Sequence, residues 1–514
     1  GLLPTAAFAV EADTTEEAPQ AVVCEVTPGC TLEAGHEGDC VVAPAEGNSS
    51  EQENNPDAQP GGENGSEPAD PVCGKLAGCV GDTHDPECPL YVAPVEPDEE
   101  PEEVPAPVEP AEENVILDPV PVVEDELSGT CGAEGNENSV TWALTQNEDE
   151  STYTLTISGS GAMADYIVST SEDTRPWSAY KETITEVSIS EGVTSIGNSA
   201  FRSMTALKKT NIPASITDLG DHIFRDDSAL TTVEWGAGFN APSITDTDSN
   251  SDTYTGTYVP TSMFDGCTSL GNGQELSEWL PDSFTGVGCA AFRNTAFSVD
   301  FDSWDELSYI GAYGFASMPN LTTVTVKNDW TFGLRDPNTC AAFQSSGLTA
   351  VTIEAGVESV LNTMFNDCTS LTSVSLPESV KKICASAFAD TTSLQSIALN
   401  KVEEIDNYAF YGSGLKALTL PESITSIEKR AFLACSALES LYINSKEATV
   451  ENLAFAGCTA LKTIETAANT VVTLNSAFAA DSSIDDAGAA CTNVTELTAK
   501  GTLNGNIAEL SGLK

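Results

Sequence analysis

The chain contains little histidine and little positive charge. Among its 514 residues there are three histidines and 20 Lys or Arg, against 79 Asp or Glu, so the formal net charge is −59. A field of this sign repels nucleic acid, and we expect no nucleic-acid partner. Apolar runs long enough to cross a bilayer are also lacking, so we expect no membrane insertion of this sequence. Basic proteins, divalent cations and a charged cell wall remain as partners.

Motifs of catalysis are lacking as well. The sequence has no Ser/Cys–His–Asp pattern, no phosphate-binding loop and no nucleotide fingerprint. Carboxylate pairs such as Glu403 and Glu404 are too common in an acidic chain to indicate a catalytic site. His222 is the one histidine after residue 127, and we predict it to be an exposed loop residue. The sequence therefore predicts a protein that is not an enzyme.

Acidic residues are concentrated at the N-terminus. Residues 1–127 contain 31 Asp or Glu and a single basic residue, Lys75. Such a segment repels itself, so we predict that residues 10–127 are extended and disordered. Residues 1–9 end in Ala7-Phe8-Ala9 after an apolar stretch, which is typical of a signal-peptide remnant and predicts export. The alternative is an ordinary disordered N-terminus.

Proline recurs every few residues from residue 89 to residue 127. In a polyproline II conformation, at roughly 3.1 Å per residue, this stretch spans on the order of 100 Å. It is either a stiff stalk that raises a domain above a surface or a plain interdomain linker. Both interpretations place a domain boundary near Ser128.

Two short modules of matching composition interrupt the acidic segment, at residues 24–40 and 73–88. Each contains three cysteines and one histidine, which form a tetrahedral Zn²⁺ ligand set. Export favours disulfides over thiolates, so the competing interpretation is one disulfide within each module and a third cysteine for pairing between modules. The sequence therefore suggests zinc as a cofactor of these modules. The eight candidate ligands are Cys24, Cys30, His36, Cys40, Cys73, Cys79, His84 and Cys88.

A repeat dominates residues 183–514, after a segment at 128–182 whose alternating apolar residues predict an N-terminal β-hairpin cap with its turn at 147–151. Most successive repeats are 22 or 23 residues long, with an aliphatic residue five positions before a Phe and a Leu or Ile about six after it. A unit this short cannot enclose its own apolar side chains, so about twelve units must stack as a solenoid. We expect one strand per unit and one continuous parallel sheet. The marker Phe stands at 201, 224, 264, 292, 315, 343, 365, 388, 410, 432, 455 and 478.

The repeat unit resembles the BspA-like leucine-rich repeats of bacterial surface proteins. Its pattern, Leu-x-x-Val-x-Ile-Pro-x-x-Val-x-x-Ile-x-x-x-Ala-Phe-x-x-Cys-x-x-Leu, is met almost fully by residues 415–438, and the resemblance covers residues 129–484. It implies a leucine-rich repeat solenoid with a parallel β-sheet on one face, on a bacterial cell surface. Some family members bind host matrix proteins such as fibronectin or fibrinogen. Between Phe224 and Phe343 the spacing departs from the pattern, reaching 28 and 40 residues, and Ser298 replaces the Leu that follows Phe292.

Strand residues that do not enter the core must point to the opposite side of the sheet, because side chains alternate along a strand. These positions are small, polar and nearly uncharged, and we interpret them as a ligand face for an extracellular protein or glycan. The alternative is that Ser and Thr simply suit an exposed strand. The protein would then be a structural wall spacer or a non-catalytic carrier for a further domain. The candidate positions are Glu186, Ser188, Thr232, Glu234, Thr323, Thr325, Thr352, Ser373, Ser375, Ser396, Thr419, Ser440 and Tyr442.

An inserted loop carries oxygen ligands at alternating positions, Asp246, Asp248, Asn250 and Asp252. This alternation is found in calcium-binding loops. Ser251 stands where such a loop requires Gly and Thr257 where it requires a bidentate Glu, so an ordinary polar loop is favoured over a calcium site.

Four cysteines share one register, three residues after the marker Phe, at 267, 368, 435 and 458. Free cysteine packs as a small hydrophobe, so we predict a buried column of side chains and no reactive site. The chain has 15 cysteines, an odd number, so at least one thiol is unpaired or bonded to another chain.

Overall fold

The computed structural model describes residues 127–247, 253–335, 338–483 and 489–505, together with residues 507, 510, 512 and 513. Within these ranges the strand pairs are parallel except for the first three strands and one inserted hairpin. Helix is confined there to Leu276–Trp279 and a 3-10 turn at Ser178–Tyr180. No helix in the described part of the chain is long and apolar enough to span a membrane. The predicted leucine-rich repeat solenoid is confirmed.

The regular repeats contribute two strands each, and not one as expected. In most units a strand of a first row begins just after a buried aliphatic residue, usually the Leu that follows the marker Phe. Its parallel strands are Tyr153–Gly159, Ile184–Ile189, Lys209–Ile212, Thr232–Trp235, Thr323–Val326, Ala350–Ile353, Ser373–Ser375, Ala417–Leu420, Ser440–Ile443, Thr463–Thr466 and Glu496–Ala499.

The second row lies in the part of each repeat for which the sequence predicted no strand. Its strands are short, because the aliphatic residue five positions before the Phe is commonly their only apolar residue. They pair in parallel with their equivalents within three separate sheets. The first sheet contains Gly161–Ala162, Val193–Ile196 and Asp218–Leu219, the second Tyr258–Val259, Gly286–Val287, Tyr309–Ile310 and Thr331–Phe332, and the third Ser359–Val360, Lys382–Ile383, Glu404–Ile405, Ser426–Ile427, Glu447–Val450, Val471–Leu474 and Thr502–Gly505.

The expectation of one continuous sheet is wrong, because the first row is interrupted twice. From residue 236 to residue 322 the units are longer, and the helix Leu276–Trp279 and a cluster of buried aromatic rings replace the strands. Phe297 takes the core position that Ser298 leaves vacant, with its ring centroid 6.0 Å from that of Phe292. The second interruption is at residues 395–399, where Asn400 donates its side-chain amide to the Leu376 carbonyl oxygen. In the regular units a backbone N–H makes this bond and continues the strand ladder.

The N-terminal strands cover the apolar end of the first repeat. Ser128–Thr130, Val140–Gln146 and Tyr153–Gly159 pair antiparallel, and the last of these also pairs in parallel with Ile184–Ile189. Trp177 is fully buried and its ring stacks on Phe201 at 5.9 Å, which closes the stack of marker rings at this end. A separate hairpin, Ile244–Thr247 with Thr253–Gly256, projects from the longest repeat.

The twelve marker Phe rings form one uninterrupted ladder. Successive ring centroids lie 5.1–6.3 Å apart from Phe201 to Phe478, and every ring is at most 1% exposed. From Phe201 to Phe455, the backbone N–H of each Phe donates to the carbonyl oxygen of the residue before the next Phe, at 2.8–3.1 Å. The extra residues of the longer repeats between Phe224 and Phe343 therefore lie outside the ladder of Phe rings and leave it intact.

The backbone on either side of each marker Phe adopts the left-handed conformation. The residue two positions before the Phe has a positive φ in all twelve units, and the residue two positions after it has one in the first eleven. Glycine occupies the second position in only three of these units, as Gly266, Gly412 and Gly457. Because non-glycine residues adopt this conformation at a cost of roughly 1–2 kcal/mol each, packing in the ladder must offset that cost.

The cysteine column is buried, as predicted, and it also has a polar role. Cys267, Cys368, Cys435 and Cys458 are all fully buried. The thiol of each donates to the carbonyl oxygen of a marker Phe in the preceding unit, at 3.0–3.4 Å. Cys491 makes the same bond to Phe455 at 3.0 Å. The thiol therefore adds a second hydrogen bond to a buried carbonyl that also accepts a backbone N–H.

Candidate functional site

The predicted ligand positions lie on the outer side of the first strand row, and we call them the sheet strip. Along each strand they alternate with buried apolar residues, as in Ala417–Leu420, where Thr419 is exposed between the buried Leu418 and Leu420. Strand pairing brings equivalent positions side by side. Thr325, Thr352 and Ser375 form one such column.

The structure brings these residues together as three patches and not as one continuous strip. Glu186, Ser188, Thr232 and Glu234 lie on the first group of strands. The second patch contains Thr323, Thr325, Thr352, Ser373 and Ser375. Thr419, Ser440 and Tyr442 form the third. Ser396 lies in the second interruption, where no strand is formed, so the prediction that it belongs to an ordered strand face is wrong.

Charged residues that the sequence interpretation missed lie at both ends of the sheet strip. Lys209 pairs with Glu186 and Thr232 across the strands, and its Nζ lies 3.1 Å from Glu234 Oε1. At the other end, Glu465 is paired with Tyr442 in register and forms an ion pair with Lys500. The same alternation of buried and exposed positions would have identified these residues. The expectation of a nearly uncharged strip therefore holds only for its middle patch.

A cleft of about 1060 Å³ opens beside the second strand row, where the sequence gave no indication of a site. It lies where that row is interrupted, because Asp218–Leu219 does not pair with Tyr258–Val259. The 40-residue repeat between Phe224 and Phe264 causes this gap, and Ile244 and Thr245 of its inserted hairpin line one side of the cleft. The cleft is therefore a product of the irregular repeat.

The floor of the cleft contains a network of arginines around one carboxylate. Asp265 is 2% exposed and accepts two hydrogen bonds from Arg293, from Nε at 2.8 Å and from Nη2 at 2.6 Å. Arg225 Nε lies 3.3 Å from the same carboxylate. The Arg293 guanidinium also lies 6.0 Å from the ring centroid of Tyr313. Such a bidentate pair fixes the orientation of Arg293.

His222 lies in this cleft, so the prediction of an exposed loop residue is wrong. Its side chain is half-buried, and its backbone has a φ of 58° at the left-handed position before Phe224. Burial is the largest cause that lowers the pKa of His222 to about 4, followed by the positive charges of Arg225 and Arg202. The imidazole is therefore neutral at physiological pH.

The predicted metal sites fall largely outside the described residues. All eight Cys and His residues of the two N-terminal modules do so, as do Asp248, Asn250 and Asp252. Asp246 lies in the strand Ile244–Thr247 of the inserted hairpin. Within the described ranges, no group of three or more His, Cys, Asp or Glu side chains is arranged to hold a metal ion. The zinc and calcium sites stay predictions.

The chain resembles several solved bacterial structures at low sequence identity. A leucine-rich repeat protein from Bacteroides ovatus is 18% identical, with 72% of this chain and 79% of that chain covered and a TM-score of 0.43. A leucine rich cell surface protein from Faecalibacterium prausnitzii is 19% identical, covers 75% and 98% respectively, and has a TM-score of 0.32. The pneumococcal vaccine antigen PcpA is 14% identical, with 74% and 100% covered and a TM-score of 0.34. No curated protein matches the chain.

The sequence itself matches a repeat family over most of its solenoid. Four overlapping segments, 178–272, 239–368, 339–462 and 398–500, match the family described as BspA type Leucine rich repeat region (6 copies). Together they extend over more than half of the 514 residues. The chain therefore belongs to the BspA-type leucine-rich repeat family.

Proposed function

We propose that this protein is an extracellular binding protein of a bacterial cell surface, which presents the sheet strip to a protein or glycan partner. The observation that carries this proposal is the register of the outer positions. Polar side chains stand in columns across neighbouring strands, at a strand spacing of roughly 4.8 Å, while the alternate residues are buried. Solenoids of stacked repeats use such extended surfaces for binding.

The middle patch of the sheet strip supports this proposal best. Thr323, Thr325, Thr352, Ser373 and Ser375 carry no charge in a chain whose net charge is −59. A partner that covers this patch does not have to bury carboxylates, whose removal from water is the most costly part of desolvation. Short hydroxyl side chains also lose little conformational entropy when they are covered.

The acidic segment fits the same role as a stalk between the solenoid and a surface. Its zinc-binding or disulfide-bonded modules at 24–40 and 73–88 form part of this proposal. Metal analysis and intact-mass thiol counting of a peptide covering residues 10–100 distinguish the two interpretations. One zinc ion per module supports the metal site, whereas no zinc with all six thiols oxidised supports disulfides and rules out zinc.

A binding screen with matched variants tests the role of the sheet strip. The full chain is screened against immobilised extracellular-matrix proteins and glycans, and any partner is then measured with Thr352→Arg, Ser375→Arg and Thr419→Arg variants. Each places a long charged side chain on the strip, and we expect at least about a tenfold loss of affinity without a change in melting temperature. Thr369→Arg adds the same charge on an exposed turn and is the control.

Two results contradict the proposal. Unchanged affinity in all three strip variants shows that the partner binds elsewhere on the chain. Failure of the screen to find any partner favours a structural spacer or a carrier of a further domain, for which the hydroxyl side chains only maintain solubility.

A further inference from the structure

The first strand row is interrupted at residues 395–399, although the rest of the solenoid continues past this point. In the Phe ladder, Phe388 stacks on Phe410 with the ring centroids 5.4 Å apart. In the second row, Glu404–Ile405 pairs in parallel with the strands on both sides of it. The interruption is therefore confined to the first row, and we call residues 395–399 the open segment.

The open segment has the residue pattern of a strand. Ile397 and Leu399 stand at the positions that Val374 and Leu376 hold in the preceding unit, and Leu399 is 2% exposed. The segment therefore packs its apolar side chains as its neighbours do. A lack of apolar residues does not explain the missing strand.

Only the two ends of the open segment are bonded to the adjacent units. At its start, the Lys416 N–H donates to the Gln395 carbonyl oxygen at 3.0 Å. Just after its end, the Asn400 side-chain amide donates to the Leu376 carbonyl oxygen. Between these two points, no backbone hydrogen bond joins the segment to the described residues of a neighbouring unit. Segments with few backbone hydrogen bonds open at a low free-energy cost.

The turn that follows the open segment is one residue shorter than the turns of the units on either side. It consists of Asn400-Lys401 between two buried aliphatic residues, where the flanking units have Pro-Glu-Ser at 377–379 and at 421–423. Asn400 has a φ of 42°, which proline cannot adopt. The short turn therefore follows a different backbone path.

The short turn removes bonds that connect regular units. The Val402 N–H donates to the Leu399 carbonyl oxygen at 2.8 Å, within the turn itself. The equivalent carbonyl, that of Leu420, accepts from the Asn444 N–H of the next unit at 3.0 Å. The short turn also lacks the serine that, in the next unit, donates from Ser423 Oγ to the Val402 carbonyl oxygen at 2.7 Å. The missing residue is therefore the cause of the interruption.

Ion pairs across the second row connect the same two units that the open segment leaves unbonded. Lys381 Nζ lies 3.1 Å from Glu403 Oε1. Lys382 Nζ lies 3.1 Å from Glu404 Oε2 and 2.9 Å from Asp406 Oδ1. Exposed pairs contribute little each, but they add to the strand pairing on this side. The two sides of the unit therefore differ in how firmly they are connected.

We propose that residues 395–401 form a joint in the first strand row, which opens and closes beside an axis made of the Phe ladder and the second row. Hinges of this kind need only a few residues that absorb the motion. The middle patch of the sheet strip lies on one side of the joint, and the third patch lies on the other. Tilting at the joint changes the distance between these patches and the curvature of the strip. The joint is a property of the free chain and does not depend on the function proposed for the strip.

Hydrogen exchange of the full chain tests the open segment. Its amides at 396–398 should exchange at least about tenfold faster than those of Ala350–Ile353 and Ser440–Ile443, two strands that are paired on both sides. Equal protection overturns the proposal, because it shows that the segment is bonded in solution.

Distances between labelled positions test the motion. Nitroxides attached to keto amino acids leave the native thiols unmodified. Labels at Thr323 and Thr463 span six strand spacings across the joint, and labels at Ser359 and Asn504 span six spacings of the second row, roughly 29 Å in each case. Double electron–electron resonance should give a distribution at least about twofold wider for the first-row pair. Equal widths contradict a joint.

Three variants connect the motion to the short turn. Replacing Asn400-Lys401 with Pro-Glu-Ser restores the regular length, so it should slow exchange at 396–398 and narrow the first-row distribution to the width of the second-row pair. Asn400→Ala removes the bond to the Leu376 carbonyl and should widen the distribution. Asn444→Ala is the matched control, because Asn444 holds the equivalent position and bonds through its backbone N–H.

The variants also give results that overturn the proposal. A folded Pro-Glu-Ser variant with unchanged exchange and unchanged width shows that the short turn does not create a joint. Equal widths for Asn400→Ala and Asn444→Ala show that the Asn400 amide does not restrain one. If the Pro-Glu-Ser variant does not fold, this second comparison decides.

Discussion

Phe410 offers the sharpest test of how the central ladder stabilises the protein. Its ring is fully buried, lies 5.4 Å from the ring of Phe388 and 5.1 Å from that of Phe432, and is parallel to the latter within 1°. Replacing a buried Phe with Ala costs about 3–5 kcal/mol through lost burial and the cavity that remains. Each stacked ring pair contributes about 0.5–1.5 kcal/mol beyond its area.

Two substitutions at this position separate burial from stacking. Phe410→Ala removes both and should lower the free energy of unfolding by about 3–5 kcal/mol. Phe410→Leu keeps most of the apolar volume and removes two ring contacts, so it should cost about 1–3 kcal/mol. Phe478 stacks on Phe455 alone, at 5.3 Å, so Phe478→Leu should cost about half as much as Phe410→Leu.

Urea denaturation of the full chain measures these differences, and hydrogen exchange locates them. Because each unit contacts only its neighbours, amides in the units of Phe388 and Phe432 should lose protection, and those near Phe201 should not. A Phe410→Leu variant as stable as the wild type would refute the stacking contribution. Equal losses for Phe410→Leu and Phe478→Leu would refute the dependence on two ring neighbours.

Three further predictions concern the turns and the cleft. Ser317→Gly should raise the free energy of unfolding by up to about 1 kcal/mol, because Ser317 has a φ of 55°, whereas Ser436→Gly, at a negative φ, should lower it; denaturation measures both. Cys267→Ala should cost about 0.5–1.5 kcal/mol, because it removes one of two hydrogen bonds to the Phe224 carbonyl, which keeps the Asp227 N–H, and Cys267→Ser should cost less; equal losses would contradict a role for the thiol hydrogen bond. Because the pKa of His222 is lowered to about 4 in the folded state, the unfolded chain binds the proton first. Stability should therefore fall by up to about 3 kcal/mol between pH 6.5 and pH 4, and His222→Asn should remove this part of the pH dependence in denaturation at both pH values.

The sequence predicted those features that depend on one residue type at a fixed period. The marker Phe, the aliphatic residue before it and the Leu after it are buried in nearly every unit, so their spacing alone revealed the solenoid. The alternation in strands such as Ala350–Ile353 likewise identified the outer positions of the sheet strip. Both patterns can be read from the sequence because burial recurs at a fixed spacing, once per repeat for the marker residues and every second residue along a strand.

The second strand row could not be predicted in the same way. Strands such as Lys382–Ile383 and Glu404–Ile405 are two residues long, and each has one apolar side chain. Two residues are too few to show an alternation, and the strand exists only because the adjacent unit provides its hydrogen-bonding partner. The left-handed turn positions could not be predicted either, because neighbouring units impose them. They include Leu453 and Arg430, residue types that rarely adopt this conformation.

The cleft was also beyond sequence reasoning, because its residues come from distant repeats. Asp165 and Arg335 belong to different ends of a stretch of six units, and no motif joins them. The positions equivalent to His222 hold the small polar residues Ser199 and Ser386, which suggested an exposed loop, although the structure buries both. Stacking of the units places His222 beside three arginines.

The position of the cleft follows from a division of roles within the repeat. At the 40-residue unit, Phe224 still stacks on Phe264 at 5.7 Å and still donates its N–H to the Met263 carbonyl oxygen at 3.0 Å. Both strand rows are interrupted there, because Thr232–Trp235 and Asp218–Leu219 each end a sheet. Because the Phe ladder continues through this unit, an insertion can open a polar cleft beside it at little cost to folding. We therefore expect deletion of residues 246–252 to leave the melting temperature nearly unchanged, and a large loss of stability would show that the inserted hairpin supports the ladder.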